Sequence, residues 1–432
     1  MNSTAIAAII LFVTFFGLIA LRIPVTFSLV ASTLVSGFYL HVPLVTIFQR
    51  MGQGVYSFSF LAIPFFILAG EIMGAGSITN KLVKVADLLV GRYIGGFAQV
   101  NILASTFFGA VSGSATADVA SIGSMLIPMM EKQGYDRDFS VNVTVTSACQ
   151  SMIIPPSHNM IIFALAAGGL STGKMFLAGV VPGLLLALSL MIVTYIIAKK
   201  RNYPRGRRYT VKEGIVILKD GALSMLTIVI ILVGVTTGFY TATESAAIAC
   251  IYSFIITFFV FRDIPLKAMW GILRRAVRTL AMVLAVICAA NGFCWIMSYL
   301  KIPALITEAL LSISSNKYVL LILINIFLLV LGCIMDVAPL IVITTPVLLP
   351  VITQIGMNPI QFGMMMLCNL AIGMCTPPVG ATLFAGCAVG KIPMEKCMKG
   401  LLPFYLAMLV VVLLVTYVPA VSLTLPTLLM GA

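Results

Sequence analysis

Two proline pairs, Pro155-Pro156 and Pro377-Pro378, lie in apolar surroundings and are the residues best placed to expose polar backbone. Proline has no N–H, so in a helix the carbonyl four residues earlier loses its donor. The first pair would free the carbonyls of Ser151 and Met152, and the second those of Gly373 and Met374. Bare carbonyls in hydrocarbon are costly and persist where they line a cavity or meet a cation. Sodium, a hard ion, wants a cage of such oxygens, and Thr376 adds a hydroxyl beside the second pair. The plainer reading is a packing kink satisfied by a neighbouring Ser or Thr. A matched pair beside two further polar interruptions favours the ion site.

Those interruptions lie just upstream of each pair. Within Phe107–Met130 runs Ser112-Gly113-Ser114-Ala115-Thr116-Ala117-Asp118, too polar to span comfortably. A re-entrant hairpin is expected, with arms at 102–111 and 119–130 and this run as its tip. In Leu329–Ile352 the second tip falls around Asp336–Pro339. Half-helix N-termini at such tips carry positive partial charge and exposed N–H groups, which suit an anionic substrate. An intramembrane aspartate is a functional candidate by default. Asp118 and Asp336 therefore stand as substrate-handling residues, as helix N-caps, or as both, with Ser114 and Thr116 adding hydroxyls at the first tip.

Catalysis finds little support. His158 is the only histidine near the serines of the first tip, and the chain has two histidines in all. The nine cysteines form no CxxC pair, so neither a disulfide framework nor a zinc site is expected. Glu71 and Glu244 sit near span ends, where capping or interfacial placement is expected before proton relay. The expectation is no enzyme, no catalytic residues, no cofactor and no metal other than sodium.

The elements that must position these residues are membrane helices. Hydrophobic residues make up 61% and charged residues 9%, against about 25% charged in a soluble chain. Apolar runs such as Ala5–Leu21, Phe176–Ala198, Leu223–Phe239, Ala246–Phe261 and Leu401–Val418 are each long enough to cross a bilayer. The net charge of +13 is concentrated in two stretches, Lys199–Lys219 and Arg262–Arg278. Their placement in short stretches between apolar spans reads as cytoplasmic anchors rather than as a nucleic-acid surface. The N-terminus and the uncharged C-terminal stretch are then expected outside, and the first span, lacking a basic n-region, is not a signal peptide. Ile78–Tyr93 and Asp263–Arg278 are amphipathic with basic faces and are expected as two interfacial arms.

An internal duplication organises the whole. Pro128, Gly134, Pro155, Pro156, Gly168 and Lys174 reappear 222 residues on as Pro350, Gly356, Pro377, Pro378, Gly390 and Lys396. Residues 131–138 hold Lys132 and Arg137 while 353–360 hold no charge; 169–174 hold one lysine while 391–399 hold three. Matching loops then face opposite sides, the mark of an inverted repeat. The expected architecture is an all-α polytopic membrane protein of two inverted-topology repeats, each with a hairpin and a Pro-Pro broken helix. Its divisions are scaffold helices and an arm (1–95), a first transport repeat (96–198), a cytoplasmic basic loop (199–220), second scaffold helices and an arm (221–317) and a second transport repeat (318–432).

These motifs resemble a known family. LAIPFFILAGEIM (Leu61–Met73), FFGAVSGSATAD (Phe107–Asp118), GYDRDF (Gly134–Phe139), IIPPS (Ile153–Ser157), TATESAA (Thr241–Ala247) and LCNLAIGMCTPPVG (Leu367–Gly380) carry a similarity that covers essentially the whole chain. They are similar to the large membrane subunit of tripartite ATP-independent periplasmic (TRAP) transporters, of the DctM or SiaM type. The resemblance implies a multi-pass protein of the bacterial inner membrane that imports an organic acid with sodium. It also implies delivery by a periplasmic substrate-binding protein, a small four-helix membrane partner and an elevator-type ion-transporter fold. It places sodium ligands at Ser112, Gly113, Ser151 and Ile154, and at Gly332, Gly373 and Thr376. Where the second break reads Val379-Gly380-Ala381, the first reads Ser157-His158-Asn159. Those polar residues favour a hydroxylated sugar acid such as sialic acid, ahead of a C4-dicarboxylate. The rival readings are a stand-alone sodium–dicarboxylate carrier, a channel and a membrane enzyme.

Overall fold

A computed structural model describes residues 3–314 and 316–431. Among these it contains helices and no strand, only one isolated bridge between Ile94 and Arg205. A segment in hydrocarbon must satisfy its backbone groups internally, which is why the apolar runs become helices. The first half holds α1 (Ser3–Ala20), α2 (Val25–Tyr39), α3 (Leu44–Gln53), α4 (Ala62–Ala75), α5 (Ile78–Val90) and α6 (Gly96–Ser112). There follow α7 (Ala115–Asp118), a π turn (Val119–Gly123), α8 (Ser124–Lys132), α9 (Arg137–Ala148), a 3-10 turn (Cys149–Met152), α10 (His158–Ala166) and α11 (Thr172–Lys200). The second half holds α12 (Val211–Thr236), α13 (Ala242–Ile255) with a π turn (Ile256–Phe261), α14 (Met269–Tyr299) and α15 (Ile302–Ile313). It closes with α16 (Lys317–Ile334), α17 (Val337–Gln354), α18 (Pro359–Met374), α19 (Ala381–Val389), α20 (Met394–Tyr417) and α21 (Pro419–Met430). Among the described residues seven helices are long and apolar enough to cross a membrane, or eight if the α4–α5 pair counts as one broken span.

The 222-residue offset carries over from motifs to elements: α6 falls on α16, α9 on α18, α10 on α19 and α11 on α20. Extending it backwards pairs α5 with α15 and α4 with the later part of α14. The two amphipathic stretches are therefore not counterparts. Ile78–Val90 is a separate helix, bent 74° from α4. The stretch 263–278 is instead a 3-10 turn (Leu266–Ala268) feeding a helix of 31 residues. No proline interrupts Met269–Tyr299, so nothing ends the helix where its basic face ends. The basic stretch 199–220 is likewise only partly a loop. Thr210 and Glu213 form a reciprocal cap that starts α12 at Val211, which puts Lys212 and Lys219 on a helix.

The halves interlock. α10, from the first half, packs on α17, and α19, from the second, packs on α9 and the first π turn. Phe163 of α10 meets Phe362 of α18 edge-on at 5.9 Å. The two helix breaks meet at the centre, where Cys149 Sγ lies 3.2 Å from Cys375 Sγ. Each hairpin is tied to its broken helix by buried asparagines. Asn101 donates to Thr144 Oγ1 at 2.7 Å in the first half, and Asn369 donates to Asn325 in the second.

Candidate functional site

The first hairpin turns in two residues. Gly113 ends α6 with a left-handed φ of 61°, open to a residue without Cβ. Ser114 is extended, and its Oγ accepts from the Ala117 N–H at 3.4 Å, so the helix resumes at Ala115. Contrary to the expectation from sequence, the polar tip does not extend to Asp118, and Asp118 is not a helix cap. With Ser114 as cap, Asp118 falls three residues after Ala115 and shares its buried face. It is fully buried, and its Oδ1 accepts from Ser105 Oγ at 3.3 Å. Ser105 Oγ lies 3.2 Å from Ser147 Oγ, so Asp118 faces the hairpin's other arm and α9. In the second hairpin Asp336 is the cap, its Oδ1 accepting from the Val337 N–H at 2.8 Å. The repeat offset sets Asp336 on Ser114. The two aspartates are not equivalents.

Each tip docks on the break of its own repeat. A Cβ on Gly109 would lie 2.7 Å from Ser151 Cα, and one on Gly113 2.9 Å from His158 Nδ1. Asn159 Nδ2 donates to the Gly113 carbonyl at 3.4 Å. In the second half Gly332 and Gly373 are in backbone contact, and the Val379 N–H donates to the Cys333 carbonyl at 3.0 Å. The chain thus gathers Ser112, Gly113, Ser151, Ser157, His158 and Asn159 at one junction and Gly332, Gly373 and Thr376 at the other. Ile154 sits at the first break with its side chain on Gly183 of α11.

The freed carbonyls differ from expectation at one position. The Gly373 carbonyl accepts from the Thr376 N–H at 2.9 Å, so it is not left bare. The last turn tightens before the proline pair and closes on a nearer donor. Thr376 Oγ1 donates to the Ile372 carbonyl at 2.7 Å, and the Cys375 carbonyl accepts from Tyr405 at 2.5 Å. At the first break the Ile153 and Ile154 N–H groups both go to the Gln150 carbonyl, at 2.9 and 2.8 Å. Among the described residues no backbone N–H reaches the Ser151 or Met152 carbonyl, as the proline argument requires.

Between the tips lies a cavity of about 1110 Å³. Five helix starts contribute to its wall: residues 114–117, His158 with Asn159, residues 336–339 and Ala381 from the hairpins and breaks, and residues 24–27 from α2. Unpaired N–H groups and the positive ends of helix dipoles make such a convergence attractive to an anion. Ser112, Ser114, Thr116, His158, Asn159 and Asp336 line the cavity; Asp118 and Ser157 do not. Ser157 is buried just before α10. Two residues on this wall were not read as site residues from the sequence. Arg275 Nε donates to Glu71 Oε2 at 2.9 Å, and both face the cavity. The available signal was Glu71 itself, a carboxylate within an apolar span. Gly70 lets α4 approach, since a Cβ there would sit 3.1 Å from Ser112 Cα. Glu244, by contrast, serves as a cap for α13, reciprocally bonded to Thr241.

An all-helical membrane chain whose hairpins dock on broken helices around a cavity is a polytopic transport protein. The chain belongs to the family of the tripartite ATP-independent periplasmic transporter, DctM component, whose model matches residues 12–421. Among its relatives, the Salmonella typhimurium protein YgiK is 43% identical over 97% of each chain. The C4-dicarboxylate TRAP transporter large permease DctM of Rhodobacter capsulatus is 34% identical, over 98% of this chain and 99% of its own. The sialic acid TRAP transporter large permease SiaM of Vibrio cholerae is 37% identical, over 89% and 90%. Among solved structures the Alcanivorax borkumensis YdaH transporter superposes with a TM-score of 0.62, over 86% of this chain and 88% of that one. Its 14% identity makes this a likeness of fold alone. The chain is an inner-membrane transporter subunit and not an enzyme.

Proposed function

We propose that this subunit imports an organic acid together with sodium, receiving it from a periplasmic binding protein and working beside a small four-helix membrane subunit. The observation that carries the reading is the convergence of the hairpin and break helix starts on one cavity, with each hairpin tip docked on a helix break. The helix starts favour the carboxylate of the substrate. The Ser151 and Met152 carbonyls in the first half and the Thr376 hydroxyl in the second offer oxygens to sodium, beside Ser112, Gly113, Ile154, Gly332 and Gly373. Asp336 caps α17 at the cavity wall and handles the substrate side of the cycle. Because the repeats are inverted, the two hairpins and breaks move together against the scaffold as an elevator.

The substrate is a sugar acid in the first reading and a C4-dicarboxylate in the second. The hydroxyl, imidazole and amide groups of Ser114, Thr116, His158 and Asn159 on the wall suit a polyhydroxylated acid. The names of relatives include sialic acid and C4-dicarboxylates. The test is uptake in proteoliposomes holding this chain and the small subunit, with loaded binding protein outside. Uptake is expected only with an inward sodium gradient and both partners present. Equal uptake by this chain alone, or without sodium, overturns the reading in favour of a stand-alone or differently driven carrier.

A further inference from the structure

A second cavity, of about 760 Å³, lies away from the transport site, between the end of α5, the end of α11 and the start of α12. Arg92, Arg205, Arg207 and Arg208 line it. Arg207 is paired with Glu213 at 2.5 Å; among the described residues no carboxylate lies within ion-pair distance of the other three. Its rim is built from backbone rather than loose side chains. The Gly206 N–H donates to the Gly91 carbonyl at 3.1 Å, the Gly95 N–H donates to the Pro204 carbonyl at 3.2 Å, and Ile94 and Arg205 form an antiparallel bridge. Tyr209 donates to Asp87 at 2.5 Å and ties the basic segment to α5.

The surroundings identify the occupant. Three uncompensated guanidinium groups in one concavity call for a phosphate-type anion, which they can bind with two parallel hydrogen bonds each. Next to them Ile215 and Leu218 of α12 line the same cavity and are 62% and 47% exposed. Tyr93 and Tyr195, 47% and 40% exposed, flank it as tyrosines do at a membrane–water interface. A free phosphate would use the arginines and leave the apolar flank in water. A phospholipid uses both. We propose that this cavity binds the headgroup of an anionic phospholipid, with its acyl chains along α12. The bound lipid then links α5, α11 and α12, which meet there through few charges of opposite sign.

The test uses the full chain purified in a neutral detergent, with retained lipid counted by native mass spectrometry after adding phosphatidylglycerol or phosphatidylcholine. Phosphatidylglycerol is expected to be retained on the order of tenfold more tightly. Arg205→Gln with Arg208→Gln should abolish that preference, while Arg205→Lys with Arg208→Lys keeps the charge but loses the paired hydrogen bonds, retains a reduced preference and shows that the fold tolerates change there. Inorganic phosphate at millimolar concentration should not compete. Equal retention of the two lipids by the wild type overturns the proposal, as does an unchanged preference in the Gln variant. Displacement of the lipid by inorganic phosphate overturns it in favour of a free-anion site. If the small membrane subunit excludes the lipid when added, the cavity is a protein interface and the proposal fails.

Discussion

Thr376 shows how little a single residue has to do. Its hydroxyl donates to the Ile372 carbonyl at 2.7 Å, leaving the oxygen's lone pairs available. On the proposed reading one of them faces sodium. Thr376→Val keeps the shape and removes the oxygen. A contact of this kind is worth about 1–3 kcal/mol, so apparent sodium affinity should fall by roughly tenfold to a hundredfold. The measurement is initial uptake against sodium concentration at saturating loaded binding protein; an unmoved curve reduces Thr376 to a helix-end bond. Asp336→Asn should lower the maximal rate with a smaller shift of that curve, because an amide oxygen still accepts from Val337. A second residue-scale prediction concerns Asp136 in the GYDRDF motif, which lies in the turn between α8 and α9, outside the candidate membrane spans. Its carboxylate accepts from Tyr203 at 2.6 Å and from Arg201 at 2.8 Å, and these partners hold its pKa below the usual carboxylate value. A depressed pKa means stability present above the unfolded value of about 3.9 and lost as pH falls through the folded one. Burial pushes the Tyr203 phenol up to about 12, so it remains a donor throughout this range. Tyr203→Phe should therefore lower thermal stability near pH 7 by about 1 kcal/mol at most, given the exposure of Asp136. The difference from wild type should shrink below pH 4; a difference independent of pH would mean that only packing was lost.

At the scale of elements, the hairpin-on-break junction is the feature on which transport should depend. Small residues allow it: Gly109 against Ser151 in one half and Gly332 against Gly373 in the other. A methyl at 109 would meet backbone, which cannot rotate aside as a side chain does. Gly109→Ala should cost about 1–3 kcal/mol of stability through overpacking. Uptake should fall by about tenfold or more, because the shifted hairpin misplaces groups that must act together. Gly17→Ala is the control, since nothing lies within 4 Å of its added carbon. Circular dichroism with uptake separates the outcomes: full helix content and normal uptake in Gly109→Ala would show that the junction tolerates slack.

For the whole molecule, the interlock of α10 with α17 and α19 with α9 makes the two hairpins and two breaks one packed body. Glu71 and Arg275 join α4 to α14; α4 meets that body at Gly70 against Ser112, and α14 packs on α17. The proposed inversion of the repeats has a direct test. Single cysteines in 199–219 and 262–278, in a cysteine-free background, should react with a membrane-impermeant reagent only from the cytoplasmic side. Those in 419–430 should react from the periplasm. Labelling of the two basic stretches from opposite sides would overturn the orientation and the inverted repeat together.

Membrane insertion, the helical class and both proline breaks were legible in the sequence, because each is a local property. Hydrocarbon forbids unpaired backbone over some 20 residues at a time, and a proline removes one known hydrogen bond wherever it sits. Ser114, Thr116, His158, Asn159 and Asp336, which line the cavity, stood out for the same reason, as polar residues within or beside apolar runs. What a side chain faces is not local. Asp118 and Ser114 are four residues apart in one polar run, yet a two-residue turn at Gly113-Ser114 sends one inward to Ser105 and leaves the other in the cavity. The Gly373 carbonyl looked free until the closing turn supplied the Thr376 N–H. Glu71 and Arg275 are 204 residues apart and became a pair only when α14 ran on through its basic stretch to lie beside α4. Helix rotation, turn length and long-range packing choose the face, and those depend on every neighbour at once.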